Sequence, residues 1–113
     1  MESVRQQKVA RLLQKELAEI FRSNAQSFFN KAFVTVTIVR VSPDLGYAKV
    51  YLSVMAAKDK LSVVKMAEDH YPQIRRQLGD NIRKQVRIIP ELAFFLDDSL
   101  DYAENIENLL KKK

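Results

Sequence analysis

The first 23 residues carry a helical pattern of apolar positions. Residues 3–23 contain neither glycine nor proline, and apolar side chains recur along them every three or four residues. That spacing predicts an amphipathic helix with one core face. The apolar stripe consists of Val9, Leu12, Leu13, Leu17, Ile20 and Phe21. Roughly opposite it, within about 60° of one another, lie the basic residues Lys8, Arg11, Lys15 and Arg22.

Two alternating segments follow, with turn residues between them. Residues 34–42 are rich in β-branched side chains, and residues 47–54 alternate apolar and polar positions. Residues 43–46 supply turn chemistry, because proline fixes φ and glycine tolerates a positive φ. The pattern predicts an antiparallel hairpin, whose second strand turns outward Tyr47, Lys49, Tyr51 and Ser53. The outward tyrosines could stack on nucleobases, although aromatic residues also favour exposed strand faces for packing reasons.

The helical pattern returns at Lys58 and is interrupted by Pro72. Proline lacks a backbone donor and disfavours α geometry at the preceding residue. We therefore predict two helical segments with a break or kink at His70, Tyr71 and Pro72, the second segment ending near Gln85. Its inward face is marked at i, i+4 and i+8 by Ile74, Leu78 and Ile82.

The end of the chain predicts one more strand and one more helix. Residues 86–96 are typical of a third strand, in which Pro90 indicates an edge position or a bulge. Ser99 is a good N-cap for a last helix, with Asp101 near the positive end of the helix dipole. The element order α-β-β-α-α-β with an extra C-terminal helix predicts an α+β fold. In it, helices cover one face of a three-stranded sheet within a single domain over residues 1–113.

The composition is that of an ordinary globular protein, with 47% hydrophobic and 29% charged residues. A chain of 113 residues is enough for one core. No segment approaches the roughly 20 apolar residues that cross a bilayer, and cysteine is absent, so we expect a cytoplasmic protein without membrane association. The predicted core consists of Val9, Leu13, Leu17, Ile20, Val50, Leu52, Ile74, Leu78, Ile82 and Phe94.

The net charge of +5 favours polyanionic partners, and its distribution favours one part of the chain. Between His70 and Pro90 the basic residues are opposed only by Asp80. Arginine can hold phosphates with paired N–H groups without reading base sequence. The predicted main RNA contacts are Arg75, Arg76, Arg83, Lys84 and Arg87, with the basic face of the first helix as second choice. A merely solvated helix face is the open alternative.

Catalytic and metal chemistry find little support in the sequence. His70 is the only histidine, whereas a metal site or a catalytic triad needs several suitable side chains. Asp97 and Asp98 are neighbours on an extended segment, so capping of the next helix explains them better than acid–base chemistry. Gly46 and Gly79 are the only glycines, which excludes a P-loop, a Rossmann fingerprint and the G-x-x-G loop of KH domains. We expect no enzyme activity, no cofactor and no metal.

Three stretches, in order and at matching spacing, resemble the ribosome-binding factor A family. The first is RQQKVARLLQKELAEIF at residues 5–21. In the second, the family's S-x-D-L turn and A-K-V-Y sequence stand at Ser42–Leu45 and Ala48–Tyr51. In the third, P-E-L-x-F and D-x-S stand at Pro90–Phe94 and Asp97–Ser99.

The resemblance implies a type II KH-like fold and a non-catalytic assembly factor. Such a factor binds the immature small (30S) ribosomal subunit, aids late maturation of its rRNA and supports growth in the cold. The implied partners are the subunit and its rRNA, with a ribosome-maturation GTPase as a further candidate, and we expect a monomer. A KH-like interaction domain acting mainly through a protein partner stays the alternative.

The family's kink between the two central helices carries an Ala-x-Gly sequence, and this chain departs from it. The aligned positions are His70, Tyr71 and Pro72. Proline can supply the bend, but it cannot supply the close backbone approach that glycine allows. An RNA contact at the kink therefore does not carry over to these residues from the resemblance alone.

Overall fold

The computed structural model describes residues 2–55 and 57–97, and it confirms the α+β fold class and the order α-β-β-α-α-β. A short extra helix precedes the first strand. The helices are α1 (Val4–Ser23), α2 (Ala25–Phe29), α3 (Lys60–Asp69) and α4 (Tyr71–Ile82). The strands are β1 (Phe33–Val41), β2 (Tyr47–Met55) and β3 (Glu91–Leu96). The predicted C-terminal helix after Ser99 lies outside the described residues.

Helix α1 begins with a capping box. The Ser3 hydroxyl accepts a hydrogen bond from the Gln6 backbone N–H at 3.1 Å, and the Gln6 side chain accepts one from the Ser3 backbone N–H at 2.8 Å. These bonds satisfy donors that helix geometry leaves free at the first turn. The Gln6 amide also donates to the Val41 carbonyl at 2.8 Å. The same side chain therefore starts the helix and ties it to the end of β1.

The strands form one three-stranded sheet in the order β1-β2-β3. Strands β1 and β2 pair antiparallel, which confirms the predicted hairpin, and β2 and β3 pair parallel. The register of the hairpin shifts between Val36 and Ile38, which places Thr37 in a bulge. The Thr37 hydroxyl donates to the Asp97 carboxylate at 2.6 Å, so the bulge also fixes the chain just after β3.

The third strand is shorter than predicted, because residues 86–90 form an irregular connection and β3 begins only at Glu91. Pro90 has no N–H to donate to a neighbouring strand, so pairing starts at the next residue. The Glu91 N–H donates to the Gly46 carbonyl at 2.9 Å. Pro90 thus sets the start of an edge strand rather than standing inside it.

The hairpin turn also differs from the prediction. The positive φ, 63°, falls on Leu45, whereas Gly46 has none. The Leu45 N–H donates to the Ser42 carbonyl at 2.9 Å, and the Gly46 N–H donates to the Asp44 carboxylate at 3.0 Å. These bonds hold the turn in a form that places a leucine in the left-handed region, where side chains other than glycine are uncommon.

The two central helices are separated at His70, which confirms the predicted break. Pro72 lies in the first turn of α4. The N–H groups of a first turn have no acceptor within the helix, so the missing N–H of proline costs no helical hydrogen bond there. The break lets the two helices take different supports, because α3 packs on β3 and α4 packs against α1.

The core lies between the helices and one face of the sheet. Every predicted core position is buried, and α1 packs along β1. Phe21 of α1 contacts the rings of Phe29 and Phe94, with centroid distances of 5.1 and 6.0 Å. This aromatic contact connects α1, α2 and β3 across the core.

We predict that Leu17→Ala and Leu78→Ala each lower the free energy of unfolding by about 2 to 5 kcal/mol. Both side chains are fully buried, so truncation leaves a cavity that neighbours cannot fill. Urea denaturation measures the effect. Lys15→Ala, on the exposed face of α1, is the control and should change the value by no more than about 0.5 kcal/mol. Unchanged urea midpoints for both leucine variants would show that the core faces are assigned wrongly.

Candidate nucleic-acid interface

The kink residues have mainly structural contacts. His70 ends α3, and its Nδ1 atom lies 2.9 Å from the Met66 carbonyl oxygen. Its ring stacks on Phe28, with a centroid distance of 4.8 Å. Pro72 is exposed at the start of α4. The His70 side chain is therefore bonded and packed within the fold, whereas Pro72 is exposed to solvent.

Tyr71 connects the kink to the start of β3. Its hydroxyl accepts a hydrogen bond from the Leu92 backbone N–H at 3.0 Å. It donates to the Glu91 carboxylate at 2.9 Å. An N–H group of Arg75, one helical turn later, also reaches this hydroxyl at 3.2 Å. A single phenol therefore holds a backbone N–H, a carboxylate and a guanidinium together.

Arg75 fixes the irregular connection between α4 and β3. Its guanidinium donates to the Pro90 carbonyl at 2.6 Å and to the Ile89 carbonyl at 2.8 Å. Its side chain is only 30% exposed. The planar fork of arginine suits two neighbouring acceptors of this kind. Arg75, a predicted phosphate contact, is therefore already bonded within the fold, where it positions the loop that carries Arg87.

The other basic residues of this segment face solvent. Among the described residues, no carboxylate forms an ion pair with any of them, and Asp80 is exposed on the same helix. Exposed arginines without partners keep their paired N–H groups available for phosphate. The residues are Arg76 in α4, Arg83 and Lys84 just after it, and Arg87 in the connection to β3.

The basic face of α1 is also exposed, at Lys8, Arg11, Lys15 and Arg22. Among the described residues, only Arg22 of these four forms an ion pair, with Glu19 one turn earlier. The hydrogen bond that Arg22 donates to the Glu19 carboxylate, and the negative charge of that carboxylate, raise the pKa of Arg22. Both side chains are largely exposed, so this ion pair contributes little to stability.

A cleft of about 510 Å³ joins the two predicted basic groups. It lies between the start of α1, the β1–β2 turn and the connection that follows α4. Lys8 comes from the basic face of α1, and Arg87 comes from the basic residues that follow the kink. The cleft is lined by Arg5, Lys8, Val9, Asp44, Leu45, Gln85, Val86, Arg87 and Ile88. We call it the turn cleft.

Sequence reasoning treated these two groups as separate surfaces, and it did not single out Arg5. The missed signal was local, because Arg5 stands three positions before Lys8 and so lies on the same side of α1. The neighbouring position of Arg87 depends on the packing of α4 against α1, which no pattern in either segment specifies. The structure therefore adds one arginine and brings one residue of each group, Lys8 and Arg87, to one cleft.

The outer face of the sheet carries the predicted tyrosines. Tyr47 is 41% exposed, whereas Tyr51 stacks on Phe95 with a centroid distance of 5.5 Å. Ser53, predicted to face solvent, is buried at 8% exposure. It lies in the central strand with the larger Tyr51 and Met55 two positions away, so its short side chain has little free surface.

A second cleft, of about 390 Å³, lies on the other side of the kink, between α3 and β3. Among the described residues, its lining is apolar and acidic and contains no basic side chain: Glu68, Tyr71, Leu92, Ala93, Phe94 and Phe95. Glu91 stands at the start of the same strand. The acidic residues here would repel an RNA phosphate backbone, whereas the basic residues of the turn cleft would attract it. The two clefts therefore differ in the charge that they offer to a partner.

The described part of the chain contains no group of three or more histidine, cysteine or acidic residues arranged to hold a metal ion. Within those same residues, no helix is long and apolar enough to span a membrane. Asp97 bonds the Thr37 hydroxyl, while its predicted partners in capping, Asp98 and Ser99, lie outside the described residues.

Comparison of the sequence with known proteins points to one family. The family model of ribosome-binding factor A matches residues 5–110. Ribosome-binding factor A of Cytophaga hutchinsonii is 52% identical over 112 residues, which cover 99% of this chain and 84% of the relative. The same protein of Christiangramia forsetii is 37% identical over 113 residues, covering 99% of this chain and 86% of the relative.

Solved structures share the fold. The crystal structure of ribosome-binding factor A from Thermus thermophilus superposes with a TM-score of 0.68 at 19% identity, covering 80% of this chain and 94% of that one. A homology model of the Thermus thermophilus factor, fitted into a cryo-EM map of its 30S complex, has a TM-score of 0.63 at 21% identity. That match covers 79% of this chain and 91% of the other. These similarities confirm the KH-like fold.

We predict that Arg75→Lys lowers the free energy of unfolding by about 1 to 3 kcal/mol, because an ammonium group cannot bond both loop carbonyls in the planar geometry of a guanidinium. Chemical denaturation measures the loss, and amide exchange at Leu92 should become faster. Arg76→Lys, at an exposed position without a partner, should leave both values unchanged. Equal stability of the two variants would contradict a positioning role for Arg75.

Proposed function

The chain belongs to the ribosome-binding factor A family, and we propose that it is a non-catalytic factor that binds the small (30S) ribosomal subunit through its rRNA. The family match over residues 5–110 supports ribosome binding. The Thermus thermophilus structure described as part of a 30S complex supports the choice of subunit. As finer parts of the proposal, the factor binds the immature subunit and aids late maturation of its rRNA.

The observation that carries the proposal is the turn cleft and the unpaired basic residues around it. Arg5 and Lys8 from α1 meet Arg87 from the connection after α4 at one cleft. Phosphates of an RNA backbone can be bound by such side chains without base recognition, with the release of counterions from the RNA. We propose residues 1–113 as a single KH-like RNA-binding domain, with the basic residues of α4 and of the connection after it as the main contact, of which Arg87 lines the turn cleft.

The proposed phosphate contacts differ in their exposure and in their hydrogen bonds within the fold. Arg76, Arg83, Lys84 and Arg87 are exposed and form the first group, with Arg75 positioned beneath them. The first-helix residues Lys8, Arg11, Lys15 and Arg22 form the second group. His70 and Tyr71 are bonded within the fold and take no part in the proposed contact.

A second candidate function is protein binding, and the cleft between α3 and β3 favours it. That cleft is apolar and acidic, and β3 is an edge strand. A ribosome-maturation GTPase is a candidate partner there, while the factor itself acts as a cytoplasmic monomer. Salt separates the two functions, because phosphate binding weakens steeply as salt rises and a mainly apolar contact changes little.

Co-sedimentation tests the proposed function directly. The protein should sediment with free small subunits, and more of it should do so with immature subunits than with translating ribosomes. Its absence from every ribosomal particle would contradict ribosome binding. Its presence mainly on translating ribosomes would contradict a role in assembly.

We predict that replacing Arg76, Arg83 and Lys84 together by Gln weakens binding to small subunits and flattens its salt dependence. Each phosphate contact removed should lower the slope of log affinity against log salt by about 0.7 to 0.9. The fold should stay intact, because all three side chains are exposed. Affinities at several salt concentrations give the slope, and thermal unfolding checks the fold.

The matched control is the triple variant of Lys8, Arg11 and Lys15 to Gln, which removes the same charge from α1. We expect a smaller loss from this variant, and chiefly from Lys8, since that residue alone of the three lines the turn cleft. If the α1 variant loses binding while the α4 variant binds normally, the main contact lies on α1.

A further inference from the structure

We infer that the turn cleft holds one unstacked guanine of single-stranded RNA, with Asp44 recognising its base and the surrounding cations binding its phosphates. The inference rests on the proposed function, because it names the nucleic-acid feature that the same surface would bind. It adds base recognition to a surface otherwise described only as a phosphate contact.

The residues that line the cleft differ in chemistry. Arg5 and Lys8 of α1 and Arg87 of the connection after α4 supply cations, and the β1–β2 turn supplies the carboxylate of Asp44. None of these cations forms an ion pair with Asp44 or with another carboxylate of the described residues. A ligand that spans the cleft must therefore be anionic at one end and rich in hydrogen-bond donors at the other. A nucleotide with donors on its base meets both requirements.

The rest of the lining is mostly apolar. Val9 of α1 is buried, and Leu45 and Val86 are half-buried. Ile88 is 59% exposed at the edge of the cleft, although it is a large apolar side chain. A flat base could cover this surface, since single-stranded bases leave their stack to bind apolar and polar groups of proteins. A volume of about 510 Å³ lies within the range of small-ligand sites.

Asp44 is held in place before any ligand arrives. Its Oδ1 atom accepts hydrogen bonds from the Ser42 hydroxyl at 2.6 Å and from the Gly46 N–H at 3.0 Å. The Ser42 hydroxyl in turn accepts from the Tyr47 N–H at 3.0 Å. These bonds lower the pKa of Asp44, the Ser42 hydroxyl contributing most. The side chain is thus an ionised acceptor at neutral pH, and the two lone pairs of Oδ2 can accept from two adjacent donors.

An acceptor of this kind selects among the bases. Guanine alone presents two adjacent donors, N1–H and the N2 amino group, on its Watson–Crick edge. Each other base places an acceptor beside its donor, and that acceptor would be repelled by the carboxylate. Good paired contacts to a base edge discriminate by about tenfold or more. The cleft should therefore prefer guanine and tolerate any base on either side of it.

Short single-stranded RNA tests the inference. Fluorescence anisotropy compares labelled five-nucleotide uridine RNA with versions carrying guanine, adenine or cytosine at the centre. Wild-type protein should bind the guanine version about tenfold more tightly than the all-uridine RNA. Asp44→Asn should bring that ratio close to one, because the amide offers a donor where the carboxylate offered an acceptor. Its Oδ1 atom keeps the bonds from Ser42 and Gly46, so the turn should fold normally.

Asp80→Asn is the matched control, since it removes the same charge from an exposed position of α4 outside the cleft. It should keep the tenfold preference. Equal binding of all four RNAs by wild-type protein would overturn the inference, and so would an unchanged preference in Asp44→Asn. Free GMP should compete weakly, because it lacks flanking phosphates for the cations. Competition by GMP as strong as by the guanine RNA would overturn the assignment to RNA.

Co-sedimentation separates this inference from the proposed function. If wild-type protein sediments with small subunits but shows no base preference, the guanine site is wrong and ribosome binding stands. If it prefers guanine but sediments with no ribosomal particle, the site stands and the proposed partner is wrong.

Discussion

The break between α3 and α4 is the constraint on which the arrangement of the surface depends. Pro72 cannot lie inside a continuous helix without the loss of a backbone bond, so the chain changes direction at His70. With that change, α3 packs on β3 while α4 packs against α1. An unbroken helix could not reach both supports. The connection after α4 therefore lies beside the start of α1, which brings Arg87 and Lys8, one residue of each basic group, to one cleft.

The Tyr71 and Arg75 contacts extend this constraint beyond the helix. Arg75 bonds the carbonyls of Ile89 and Pro90, and Tyr71 bonds the Leu92 N–H. The connection between α4 and β3 has little regular structure of its own, so these side chains determine its path. Tyr71 at the break and Arg75 one turn later therefore also hold the connection that carries Arg87. Tyr71 and Arg75 thus contribute to the proposed binding surface by positioning the connection, not by contacting RNA themselves.

The sequence predicted the framework better than the surface. Periodicity identified the core positions, because burial repeats with the period of each element. It placed the break correctly, since proline acts locally. It put the third strand too early, because strand pairing depends on a neighbour that local composition does not specify. It also assigned the positive φ of the turn to Gly46, whereas the structure has it at Leu45, between Asp44 and the Gly46 N–H that donates to the Asp44 carboxylate.

The same distinction applies to the site. The basic residues were visible as charges, but charge along a sequence does not show which side chains are free. Arg75 looks like its neighbour Arg76, and only the fold shows that Arg75 bonds two carbonyls while Arg76 faces solvent. Exposed arginines without partners among the described residues suit a phosphate backbone, whose contacts position the protein without reading base sequence. Recognition of a base edge requires an acceptor in a fixed position. The Asp44 carboxylate, which is hydrogen-bonded within its own turn, therefore suits base recognition better than an exposed arginine does.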